Sequence, residues 1–154
     1  MNVHERLAKL GLKLPPPPGA AGRYRPAVVA GGLLFISGQL PIENGKLKYT
    51  GRVGAELSED DGRAAAQLAA LNALAQIDAA LGGFDRLVTL LRVEGHISSA
   101  PGYIYQPRVL DGASDLFSEA LGDKGAHARA AFAPSSLPHG AAIELVVTAA
   151  VTDR

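Results

Sequence analysis

The spacing of apolar and polar positions changes several times along this chain, and each change marks a predicted element. Val3, Leu7 and Leu10 recur at helical spacing within residues 2–12, and Gly11 and the run Pro15 to Pro18 follow. This predicts a short helix and a stiff polyproline lead-in over residues 1–20, ahead of a single domain spanning 21–154. Two extended runs, 24–29 and 33–37, flank Gly31-Gly32, the strongest hairpin signal in the sequence. Ser58, with Asp61 three residues on, predicts a capped helix start ahead of an alanine-rich apolar stripe over 63–81, which Gly82-Gly83 closes. Residues 87–97 read as a strand with Leu87, Leu91 and Val93 on one side and Val88, Leu90, Arg92 and Glu94 on the other. A loop over 98–107 exposes Tyr103 and Tyr105, and a second helix over 109–121 ends at Gly122.

The last quarter holds two further apolar runs around a connection rich in Pro, Ser and Gly, which predicts a hairpin with a longer loop. Arg129 and Glu144 are the charged residues inside those runs. A hairpin symmetric about the Ser136-Leu137 bond would set them opposite each other on one face, placed to hold a small charged molecule.

The order strand, strand, long helix, strand, helix, strand, strand predicts an α+β domain with two helices on one face of a mixed, mostly antiparallel sheet. In the final strand Ile143, Leu145, Val147 and Ala149 form one apolar face, yet Val146, Thr148 and Ala150 on the other are also apolar or small. Two helices cover one face only, so the second calls for another cover, and a second copy of the chain is the simplest.

Composition narrows the function classes. The chain of 154 residues has the apolar content for one well-packed domain. Lys plus Arg and Asp plus Glu are 15 each, aromatic residues are 5% and Trp is absent, so neither a basic field nor a stacking platform favours nucleic acid. Without cysteine there is no disulfide, thiolate or Cys-based metal chemistry. The charged N-terminus does not resemble a secretory signal, and the longest charge-free stretch, 26–42, is too short and too broken to span a bilayer. A cytoplasmic protein with no membrane segment is the expectation. His4, His96, His127 and His139 lack metal-ligand spacing, and no metal or other cofactor is called for.

Three segments together resemble the RidA/YjgF family. Tyr24 is followed thirteen residues later by Ser37-Gly38-Gln39-Leu40-Pro41; Ala128-Arg129 comes next; Leu137-Pro138 and Ile143-Glu144 complete the set. The resemblance covers about 24–151. It implies a chorismate-mutase-like fold, a homotrimer whose sheets form a central barrel, and clefts between subunits that take small 2-imino or 2-oxo carboxylates. Family members with this arginine hydrolyse reactive enamines and imines to 2-oxo acids and ammonia. Carried over, Arg129 would grip the substrate carboxylate and Glu144 would position the water. The Gly38 N–H and the Ala131 carbonyl would meet the reacting nitrogen, and Tyr24 would close the pocket from a neighbouring subunit. Ala131 stands where many relatives have Cys, and the segment 95–110 is longer than in the compact enzymes. Tyr103 or Tyr105 would supply the pocket wall there.

Each residue also has a plainer reading. Arg129 and Glu144 could be a structural ion pair in an interface. Tyr24 could be a packed strand residue, Ser37 a strand-end hydrogen bonder that no His or Asp activates, and His127 a surface residue rather than part of the cleft. A non-catalytic trimeric carboxylate-binding or regulatory module is the alternative to the deaminase, and an endoribonuclease or translation inhibitor is the third reading.

Overall fold

The computed structural model describes residues 1–153. Helix α1 (Val3–Lys9) starts with a capping box between Asn2 and Glu5 and sends Leu7 fully into the core. Strands β1 (Ala27–Ala30) and β2 (Leu33–Gln39) pair antiparallel through Gly31-Gly32, both at positive φ, as a two-residue hairpin turn needs. A small hairpin follows, β3 (Ile42–Glu43) with β4 (Lys46–Leu47), around Asn44 and Gly45 at positive φ. This hairpin is not among the expected elements, although Asn-Gly between two short runs signals its turn.

Helix α2 (Glu59–Leu81) begins where expected. Ser58 Oγ accepts from the Asp61 N–H at 3.0 Å and Asp61 answers with a carboxylate on the Ser58 N–H at 2.9 Å. Gly82, at φ 68°, caps the other end in the left-handed conformation. By length and composition α2 could cross a membrane, but two-thirds of its apolar window (67%) is buried, which makes it the central core helix. Helix α3 (Gln106–Leu121) starts three residues before the predicted 109, because Pro107 fits the first turn, where its missing N–H leaves no intrahelical bond unmade. Its Gly112 meets α2 so closely that a Cβ there would overlap the Arg63 carbonyl.

The two helices cover one face of a five-stranded sheet in the order β1-β2-β7-β5-β6, where β5 is Leu87–Ile97, β6 is Ala128–Phe132 and β7 is Ile143–Val151. This is the α+β, chorismate-mutase-like arrangement. The predicted hairpin between β6 and β7 does not form. Instead α3 serves as the crossover that brings β6 parallel to β5, while β7 pairs antiparallel with β5's other edge and with β2. Nine-residue, largely apolar β7 takes the centre, and the five-residue β6 takes an edge.

Burial in β5 also differs from strict alternation. Leu90 is buried and Leu91 exposed, because register shifts between Leu87 and Thr89 and between Leu90 and Arg92 exchange the faces. From there Val93, Gly95 and Ile97 turn toward the helices, with Ile143, Leu145, Val147 and Ala149 of β7 beside them. The opposite face keeps Val28 and Phe35 43% and 47% exposed and Phe132 46% exposed. Among the described residues that face has no cover.

Candidate functional site

With β5 between β6 and β7, Arg129 lies beside Val93, and Val93 beside Val147, so Arg129 shares the helix-facing side. Glu144 lies beside His96 and so points to the open face. The two charged residues are therefore two strand spacings apart across the sheet, about 10 Å, and three residues apart along it, on opposite faces. They form neither the predicted facing pair nor an ion pair with each other.

Arg129 is held instead by α3. Its Nη1 is 2.8 Å from Asp111 Oδ1 in an ion pair and donates to Ser114 Oγ at 3.1 Å; its Nη2 donates to the Pro107 carbonyl at 3.4 Å. Asp111 and Ser114 are three residues apart and so lie on one side of the helix, while Pro107 lies a turn before Asp111. Nε makes no hydrogen bond among the described residues, and the side chain retains 31% of its exposure.

His127 extends this set. Its Nδ1 is 2.6 Å from the Gly125 carbonyl, which can only accept, so Nδ1 carries the proton. In the neutral ring Nε2 then accepts from Ser114 Oγ at 2.9 Å. His127 is thus half-buried and supports Ser114 from behind. No spacing in the sequence announces the roles of Asp111 and Ser114, because α3 and β6 meet only through tertiary packing.

The other expected site residues gather around β2. Tyr24, Ser37 and Gly38 line one cavity of about 70 Å³. Gly38 lies at the bulge where the β2–β7 register shifts, and a Cβ built on it would come 2.8 Å from Glu144 Cδ. Glu144 thus packs against the glycine, with no room for a side chain between them. Ser37 Oγ donates to the Arg25 carbonyl at 2.7 Å, in agreement with the strand-end reading. The Tyr24 hydroxyl accepts from the Ala21 N–H at 3.1 Å, and the residue is 52% exposed.

On the open face Glu94 accepts from Arg92 at 2.7 Å, and that charged hydrogen bond holds its carboxyl below the usual range against a smaller opposing effect of burial. His96 is 3.7 Å from Glu94 and stacks on Phe132 at 5.2 Å between centroids.

The two loop tyrosines meet edge to face at 5.8 Å between centroids but differ in burial. Tyr103 is half-buried rather than exposed and donates to Glu59 at 2.6 Å; burial first, and that hydrogen bond next, push its phenol well above the usual range. Tyr105 is 45% exposed and lies under the Arg108 guanidinium at 4.2 Å from the ring centroid. Neither lines the cavity at Tyr24. A larger groove of about 940 Å³ runs between Pro15–Pro18, the β3–β4 hairpin and α2, and includes none of the expected site residues.

Residues 4–150 match the family model described as "YjgF/chorismate mutase-like, putative endoribonuclease". The chain belongs to this YjgF/RidA family. Protein TCP17 of Trypanosoma cruzi is 39% identical over 145 residues, 94% of this chain and 91% of that protein. Among solved structures, Atu1372 of Agrobacterium tumefaciens, a protein of unknown function, is 38% identical with a TM-score of 0.90, covering 97% of this chain and 91% of its own. A protein of Shewanella oneidensis described as a putative endoribonuclease is 36% identical with a TM-score of 0.95, covering 98% and 100%. More distantly, E. coli TdcF, solved with bound serine, shares the fold at 21% identity and a TM-score of 0.65 over 89% and 94%.

Proposed function

We propose that the protein hydrolyses reactive 2-imino and enamino acids to 2-oxo acids and ammonia, in clefts between the subunits of a homotrimer. The observation that carries this reading is Arg129. A guanidinium fixed by three acceptors on one side, with Nε unspent and partly exposed on an edge strand, is suited to a planar carboxylate. TdcF, with its bound serine, supports a small α-substituted carboxylate as the ligand.

The second half of the site would come from a neighbour. Tyr24, Ser37 and Gly38 lie near the β1 side of the sheet and Arg129 lies on the β6 edge. From β2 to β6 is three strand spacings, about 14 Å, which is too far for one small acid within a single chain. A ring of subunits with β1 edges facing β6 edges would join the two halves, and the exposed Val28, Phe35 and Phe132 supply apolar surface for it.

In the reaction an enamine first tautomerises to the imine. Water then adds to C2: a C–O bond forms, the C=N pair moves to nitrogen, and Glu144 takes the water's proton. With the protonated imine as the starting point, the same carboxyl returns the proton to the carbinolamine nitrogen; as the C–N bond breaks, the oxygen forms the C=O bond and its remaining proton passes to Glu144, releasing ammonia and the 2-oxo acid. Such acid-base help is worth about 10²- to 10⁴-fold. Because the imine is already electrophilic, positioned water and an anchored carboxylate suffice. Charge balance, with 15 basic and 15 acidic residues, gives no support for RNA as substrate.

The test is a coupled assay in which a dehydratase or amino acid oxidase generates the 2-imino acid and ammonia release is followed. Wild type should accelerate release, and Arg129→Ala and Arg129→Lys should lose most of that acceleration. If wild type has no effect the deaminase reading fails, and a carboxylate-binding module takes its place. If folded Arg129→Ala works as well as wild type, the arginine assignment is wrong.

A further inference from the structure

We infer that Asp111 makes the Arg129 site selective for zwitterions, so that it accepts a cationic 2-iminio acid and rejects the 2-oxo acid product. The inference rests on Arg129 being the carboxylate anchor. Its starting point is the 2.8 Å ion pair between Arg129 Nη1 and Asp111 Oδ1, with side chains 31% and 41% exposed.

A ligand carboxylate arriving at Arg129 meets a guanidinium that already has a counterion. If the ligand is a 2-oxo acid, its carboxylate meets a guanidinium whose charge Asp111 already balances, and two carboxylates then share one cation side by side. If the ligand carries a cationic nitrogen on the carbon next to its carboxylate, the exchange is different. The carboxylate pairs with Arg129 and the nitrogen with Asp111, so one ion pair becomes two and the pocket remains neutral. A protonated 2-imino acid has this form, and so does an α-amino acid. Hydrolysis removes the cationic nitrogen as ammonia and leaves an anion, so the chemical step itself turns a favoured ligand into a disfavoured one.

The surrounding hydrogen bonds allow Arg129 to hold its place while Asp111 changes partner. Ser114 Oγ and the Pro107 carbonyl are neutral acceptors that do not compete for charge. Ser114 is itself oriented by His127, whose ring is set by the Gly125 carbonyl. Asp111 is thus the one exchangeable partner in the set, and a determinant of specificity rather than a support.

The experiment compares L-alanine with pyruvate, which share a methyl side chain, by calorimetric or NMR titration. Wild type is expected to bind alanine roughly five- to tenfold more tightly than pyruvate. Asp111→Asn, on a half-buried helix position, should abolish or reverse the preference, chiefly by binding pyruvate more tightly. Ser114→Ala should weaken both ligands and keep their order. An unchanged ratio in Asp111→Asn, or a wild type that prefers pyruvate, overturns the inference while leaving the arginine anchor intact. Wild-type binding of neither ligand at millimolar concentration, or equal binding by Arg129→Ala, overturns the anchor as well.

Discussion

The carboxyl group of Glu144 rests against the Cα of Gly38, so closely that a methyl group at 38 would lie 2.8 Å from Cδ and 2.9 Å from Oε2. The contact joins two residues far apart in the chain, through the bulge in β2 beside β7. Gly38→Ala should therefore turn the Glu144 side chain away, since a glutamate terminus yields more readily than backbone. Deaminase activity should fall by about 10²-fold, in line with lost acid-base help, while stability changes by no more than about 1 kcal/mol. Activity assays with parallel thermal melts check this, and full activity in Gly38→Ala would remove Glu144 from the mechanism.

The open sheet face leads to a second prediction. Val28 and Phe35 are register partners and both are more than 40% exposed in the isolated chain. Phe35→Lys should convert the expected trimer into a folded monomer, because a solvated ammonium opposes burial of that face. Light scattering of wild type and variant at micromolar concentration, with circular dichroism as the folding control, reads the result. A monomeric wild type would contradict the intersubunit cleft.

Packing of α2 on α3 supplies a third. A side chain at Gly112 meets the Arg63 carbonyl, and backbone cannot swing aside as a flexible side chain can. Overpacking costs about 1–3 kcal/mol, whereas alanine gains at most about 1 kcal/mol over glycine inside a helix. Gly112→Ala should be destabilised by up to about 2 kcal/mol and show a lower urea midpoint. An unchanged midpoint would mean that the helices separate at no cost.

Glu94 provides a pH-dependent test. Arg92 lowers its folded-state pKa, so the pair's contribution to stability is present above the ordinary carboxylate pKa and is lost as pH falls through the depressed folded value. Arg92→Gln should be less stable than wild type at neutral pH, and the two should converge at the acid end. NMR titration should show the Glu94 carboxyl returning to the ordinary range in the variant. A wild-type midpoint already in that range would refute the assignment.

Much of the local structure was legible in the chain. The Gly31-Gly32 turn, the Ser58 and Asp61 capping box and the Gly82 helix stop depend on neighbouring residues alone, and each appears where periodicity and capping place it. The spaced motifs also led to the family, because Ser37-Gly38-Gln39, Arg129 and Glu144 retain their order whatever the strand pairing is. Asn44-Gly45, at the β3–β4 turn, is an equally local signal.

What only the tertiary structure decided is which strands are neighbours. Residues 128–132 and 143–151 flank a turn-rich connection, and their sequence suits a hairpin as well as it suits two strands separated by a third. The choice depends on α3, whose apolar side must pack on α2 and the sheet; docked there, it carries the chain across and sets β6 parallel to β5. That placement separates Arg129 from Glu144 and brings it to Asp111 and Ser114. Sequence determined that an arginine and a glutamate would be unusual among apolar strands, because residue type and local pattern suffice for that. Their partners were settled by long-range packing, since burial of the apolar faces outweighs any preference encoded in a single loop.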